Sequence, residues 1–175
     1  RIDVKPLAKE LLATFGDLGD DSPPLRTPTA PVIPPPQECI PADQAPEHVR
    51  PPILEHLDLR LDPDSVGWAF GSPSKRGRML GWLRFRDGRA MDPVSLVFAL
   101  DAMPPVSFDL GIPGWAPTLE LSAHIRARPQ PGWVLVEVRT ETLAGSLLEE
   151  DARIWDSSGR LVAQSRQLAS VRLPS

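Results

Sequence analysis

"SLVFALDAMPPVSF", Ser95–Phe108, is the stretch whose reading decides the fold. A helix entered near Asp92 puts Val94, Val97, Phe98 and Asp101 at i, i+3, i+4 and i+7, one stripe of a 3.6-residue period. Three of these are core residues and the fourth is a carboxylate. Taking an ionised carboxylate out of water without partners costs several kcal/mol, so Asp101 is not there for packing. Asp92 can cap the helix start, with Pro93 at the first helical position. The Pro104-Pro105 pair ends the helix. Leu96–Leu100 leave it little polar face, so it is expected to be enclosed by other elements.

Outward from this helix the periodicity changes from 3.6 to 2. Before it, "LDLRLDP" (57–63) and "RMLGWLRFRDG" (78–88) alternate apolar with polar, and the second closes on an Asp-Gly turn signal. After it come four β segments: "PTLELSAHIRA" (117–127), "GWVLVEVRTET" (132–142), "LLEEDARIWDSSG" (147–159) and "RLVAQSRQLASVRL" (160–173). The connections "RPQPG", "LAGS" and "DSSG" are of hairpin length. Two strands, one apolar helix and four strands predict an α+β domain, an antiparallel sheet curled around a central helix.

The sheet repeats the helix's anomaly. In the last strand Leu161, Ala163, Ser165, Gln167, Ala169, Val171 and Leu173 share the face expected to point inward, and Gln167 stands among them. In the strand after the helix Leu119, Leu121, Ala123 and Ile125 are expected to point in, with Thr118 at the strand's mouth. Singly, each has a plain reading. Thr118 is a β-former, Gln167 can satisfy a backbone group, and Asp101 can pair with an arginine. Together they offer a hydroxyl, an amide and a carboxylate on elements that must pack together, a set able to hold and polarise one water.

Composition narrows the function. The chain has 175 residues, and its 41% hydrophobic and 24% charged content is that of a globular protein. A net charge of −4 argues against nucleic acid as the main partner, because phosphate neutralisation needs a basic face. No run approaches the ~18 apolar residues of a membrane helix. "RIDVKPLAKE" lacks the apolar core of a signal peptide. Cys39 is the sole cysteine, so no intrachain disulfide can form, which fits a reducing compartment and a cytoplasmic location. His48, His56 and His124 are scattered, and no metal-ligand spacing is present. Of the 22 prolines, half fall between Pro23 and Pro52, which excludes a helix or central strand there and predicts an extended strap between two domains. A docking peptide for a proline-reading module is the other reading of "PPPQECIP".

From about Ile53 to Leu173 the chain resembles the second half of the double hot-dog acyl-CoA thioesterases of type II. "FALDAMPP" matches the helix motif, "PTLELSAHI" the next strand's and "GRLVAQSRQLA" the last strand's, with "GWVLVEV" and "ARIWDSSG" as companions. The resemblance implies a hot-dog fold and hydrolysis of acyl-CoA thioesters by a water that Asp101, Thr118 and Gln167 activate. CoA thioester is then the substrate and no cofactor is implied. It further implies that residues 1–21, with "LLATFGDL", end a first repeat, that 22–52 form the linker, and that 53–175 form the second repeat. Association with another copy through hot-dog sheets is expected, since a lone repeat would expose a sheet edge and an apolar face. Lys75, Arg76 and Arg78 in the loop "SPSKRGR" are candidates for CoA phosphates, and Trp115 for the acyl channel. Two alternatives stay open: a non-catalytic acyl-CoA-binding or scaffold module, and a hydratase, although no histidine follows Asp101 closely.

Overall fold

The computed structural model describes residues 11–18, 22–44 and 50–173. Eight strands form one antiparallel sheet: β1 (Ile40–Pro41), β2 (Leu57–Leu61), β3 (Arg78–Phe85), β4 (Thr118–Ile125), β5 (Val134–Arg139), β6 (Leu143–Ala144), β7 (Leu147–Trp155) and β8 (Leu161–Ser170). Their order is β1-β2-β3-β5-β7-β8-β4, with β6 paired to β7. The helix α1 (Pro93–Ala99) lies between β3 and β4 in the chain and packs on β4 and β8. One helix on one face of a curved antiparallel sheet is the α+β arrangement that the alternation predicted and the hot-dog architecture that the resemblance implied.

The sheet's inner face is built from every second residue. Met79, Leu83, Val136, Val138, Ala152, Ile154 and Ala163 are buried there, and the β-branched side chains among them suit a pleated, packed surface. Leu96, Ala99 and Leu100 close the core from the helix side. Each fully buried Leu or Val adds roughly 1.5–3 kcal/mol relative to its exposed state. Asp92 caps the helix by accepting from the Ser95 amide at 2.7 Å, as its position implies.

The expected stripe does not face this core. Val94, Val97 and Phe98 are 79%, 43% and 40% exposed, and Leu96, Ala99 and Leu100 are buried instead. The helix is apolar on both sides and only one side meets the sheet, so it is half covered rather than enclosed. β4 departs in a similar way. Leu119 and Ala123 are exposed, and Leu121 and Ile125 are half-buried, because β4 is the last strand of the sheet and a bulge between Thr118 and Glu120 breaks its alternation. In β8 the inward set holds from Ala163 to Val171, while Leu173 is 43% exposed beyond the strand's end at Ser170.

The proline-rich segment is a strap on the opposite face of the sheet. Trp155 Nε1 donates to the Pro28 carbonyl at 3.1 Å and Trp82 Nε1 to the Pro34 carbonyl at 2.8 Å. Ile40–Pro41 then joins the sheet edge beside β2. Of the segment read as the end of a first repeat, residues 11–18 are described. They form no strand, and Leu11, Leu12 and Phe15 are exposed.

Candidate active site

Asp101, Thr118 and Gln167 come together, though they are far apart in sequence. Asp101 follows the C-cap of α1, its amide bonded to the Phe98 carbonyl. Thr118 opens β4 at the bulge, and Gln167 stands on the inner face of β8 opposite Leu121. Gln167 Nε2 donates to Thr118 Oγ1 at 2.8 Å. That leaves the Thr118 hydroxyl proton to be given onward, and both side chains hydrogen-bond towards the Asp101 carboxylate. Loss of solvation at the carboxyl end raises the Asp101 pKa, and the bonds from Gln167 and Thr118 oppose that rise without cancelling it. The residue itself stays exposed. A carboxylate made more basic than usual, aimed by an amide and a hydroxyl and open to solvent, is arranged to take a proton from a bound water.

A second carboxylate, overlooked in the sequence reading, stands beside the trio. Glu150 on β7 is the register partner of Gln167 and is buried. Its Oε2 accepts the Val106 amide at 3.0 Å. Burial lifts its pKa from 4.5 to about 7, with the Val106 bond lowering it and the Asp101 charge adding to the rise. The signal was available, because in "LLEEDARIW" Glu150 falls in phase with Leu148, Ala152 and Ile154, the buried side of the strand.

The basic loop is turned elsewhere. Buried Asp109 accepts from Ser74 N at 3.0 Å, Ser74 Oγ at 2.9 Å and Arg78 N at 3.3 Å, so an internal carboxylate already fills the loop's ring of amides. Arg76 donates to the Asp64 carbonyl at 2.6 Å, and Arg78 Nε to Glu137 Oε1 at 2.7 Å. Arg78 is out of phase with Met79, so its side chain lies on the face opposite Gln167. Lys75 and Trp115 are exposed, Trp115 in the loop that leads into Thr118. Two cavities of about 270 and 320 Å³ lie along the strap, one lined by Pro31, Asp62 and Arg78 and the other by Pro23, Thr27 and Arg160. Neither is lined by the trio. Among the described residues no three His, Cys, Asp or Glu side chains gather as a metal site, and no helix is long and apolar enough to cross a membrane.

The hot-dog sheet and the clustered trio define a class, and comparison with known proteins places the chain within it. Residues 36–171 match the acyl-CoA thioesterase C-terminal domain family, and the chain belongs to that family. It superposes on a proposed thioesterase II from Thermobifida fusca with a TM-score of 0.75 and 32% identity, over 87% of this chain and 57% of that one. An acyl-CoA thioesterase II from Mycobacterium marinum shares the fold at a TM-score of 0.57 and 20% identity, over 89% of this chain and 60% of that one. An uncharacterized protein of Mycobacterium tuberculosis is 39% identical over 90 residues, 51% of this chain and 31% of its own. The chain thus spans about a third of the curated relatives it matches and somewhat more than half of the solved ones.

Proposed function

We propose that the protein hydrolyses acyl-CoA thioesters to a free acid and CoA. The observation that carries this reading is the convergence of Asp101, Thr118 and Gln167 from the helix end, the sheet edge and the last strand. Asp101 accepts a proton from the attacking water, while Thr118 and Gln167 fix that water and limit its freedom. The water adds to the thioester carbonyl, and collapse of the tetrahedral intermediate expels the CoA thiolate. No enzyme-bound acyl group is needed. The exposure of Asp101 favours turnover over an occluded structural trio. His124 is exposed on β4, paired with Gln164, and offers nothing to a hydratase at Asp101.

The site is completed by a second hot-dog unit. β4 is a sheet edge, and Val94, Val97, Phe98, Trp115 and Leu119 are exposed on α1, on β4 and in the loop before it, an apolar surface of the kind that marks an interface. The acyl chain lies in the crevice between the two units, beside Trp115, and Lys75 is the cation left for CoA phosphates.

CoA release from short, medium and long acyl-CoAs, measured for the intact protein and its Asp101→Ala variant, tests this. Turnover by the parent with a loss of at least ~10²-fold in the variant is the expected result. Equal rates would remove Asp101 from the mechanism, and no turnover by the intact, folded protein would leave the acyl-CoA-binding alternative.

A further inference from the structure

We propose that Glu150 is a positioning residue of this site: its buried carboxylate takes the Val106 amide and so fixes the Asp101–Val106 turn against β7, one strand from Gln167, where Asp101 meets the Gln167–Thr118 pair. The inference rests on the thioesterase reading and adds to it a residue outside the trio.

The need for such a clamp follows from the chain between the helix and Val106. Asp101 lies just past the C-cap, tied to the helix by its amide bond to the Phe98 carbonyl, and Ala102 is the last residue bonded back to the helix. Pro104 and Pro105 carry no amide proton and give the segment no ladder to join. Val106 supplies the first N–H after them, and it is fully buried, so without a partner it would incur the full cost of an unsatisfied donor. Glu150 is that partner at 3.0 Å. The same β7 residue is in register with Gln167, so one carboxylate ties the Asp101 turn to the strand pair that carries the amide.

A neutral glutamine could also accept this bond, and the carboxylate's distinctive contribution is charge. Asp101 is the one charge that acts on Glu150 to raise its pKa. Arg139, Asp151, Arg153 and Arg166 alternate with the inner-face residues of β5, β7 and β8, so they lie on the opposite face. Thr118 and Gln167 face it from β4 and β8 without charge. The two carboxyls therefore act on one another as like charges. When Glu150 ionises, its bond to Val106 becomes charge-assisted and Asp101 becomes a stronger base.

The test compares the intact parent, Glu150→Gln and Glu150→Ala. Hydrolysis rates and the Val106 amide proton shift are followed from about pH 5 to about pH 9. Glu150→Ala is expected to lose on the order of 10- to 100-fold in kcat, with KM within about twofold, as a displaced catalytic group does. Glu150→Gln should recover most of that loss below pH 7 yet lack the parent's rise in rate near pH 7. In the parent the Val106 amide shift should move with the same midpoint, and in Glu150→Gln it should not. A folded Glu150→Ala with the parent's kcat and pH profile overturns the proposal. If Glu150→Ala does not fold, the isosteric Gln variant decides through its pH profile: the parent's step near pH 7, retained, refutes the role. A parent without thioesterase activity defeats the function proposed above and leaves this inference to the Val106 amide, which overturns it by failing to titrate.

Discussion

Replacing Glu150 by glutamine should leave the protein at parental stability in mild acid and make it steadily more stable than the parent as pH rises. The folded-state pKa of Glu150 is raised from 4.5 to about 7, so between those values the folded state holds a proton that the unfolded chain has released. Stability from this group is fully present below about pH 4.5 and is lost as pH climbs through 7. At 1.36 kcal/mol per pH unit over that interval, the loss comes to roughly 3 kcal/mol. Glutamine cannot ionise and keeps an acceptor for Val106, so the variant avoids the loss. The groups with lowered pKa, Asp58 and Asp151 beside their arginines, change stability in the opposite sense at lower pH. They do so equally in both proteins and cancel in the difference. Urea unfolding of parent and variant at intervals from about pH 4.5 to 8.5, with equal m-values, isolates the term. A difference that stays flat across this range would show that Glu150 is solvated in the folded state, and the burial argument would fail.

Trp82→Phe removes the indole donor to Pro34 while keeping an aromatic ring. It should cost about 1 kcal/mol in urea unfolding and make the 22–41 strap a faster substrate for limited proteolysis. Cys39 is buried, and desolvation, aided by Asp62 and Glu38, pushes its thiol up to about 11. Alkylation by iodoacetamide at neutral pH should run roughly 100-fold slower than for an ordinary thiol, given the smaller thiolate fraction. A rate equal to that of a free cysteine peptide would refute this environment. Gly77 has φ +64, and an added Cβ would approach the Thr140 carbonyl oxygen at 2.8 Å. Gly77→Ala should therefore lower stability by at least ~1 kcal/mol, visible as a shift in the urea midpoint.

The six longer strands in chain order and the helix cap were legible because each leaves a local mark, a period of two or an Asp-Pro pair. The two-residue strands Ile40–Pro41 and Leu143–Ala144 are too short to show a period. The facing of α1 was not legible. Val94, Val97 and Phe98 form a regular stripe, but Leu96, Ala99 and Leu100 form another. Periodicity alone does not say which of two apolar faces the sheet covers. β4 misled for a related reason, since alternation predicts burial only if something lies on each side, and position at a sheet edge is a property of topology. Glu150 carries the same kind of mark as Gln167, a polar residue in phase with Leu148, Ala152 and Ile154, beside an exposed Glu149 of the same type. The basic loop reads as an anion site by composition, and the residue that fills it, Asp109, lies more than thirty positions away in sequence.

The strap has a consequence for distance within the whole molecule. Were residues 22–41 a free coil, their two ends would wander on the order of 25 Å apart, from a scale of 5–6 Å times the square root of about 20 residues. Held by two indoles, with Ser22–Thr27 beside the Ser158–Leu161 turn between β7 and β8 and Ile40–Pro41 paired to β2 at the sheet edge, they act as a ruler. The strap's own start is thereby set beside the Ser158–Leu161 turn rather than left to wander. Prolines suit this use, because their fixed φ leaves little freedom to surrender on docking and their carbonyls remain free to accept. Lengthening the strap would change no contact in the site, yet it would loosen where the strap begins.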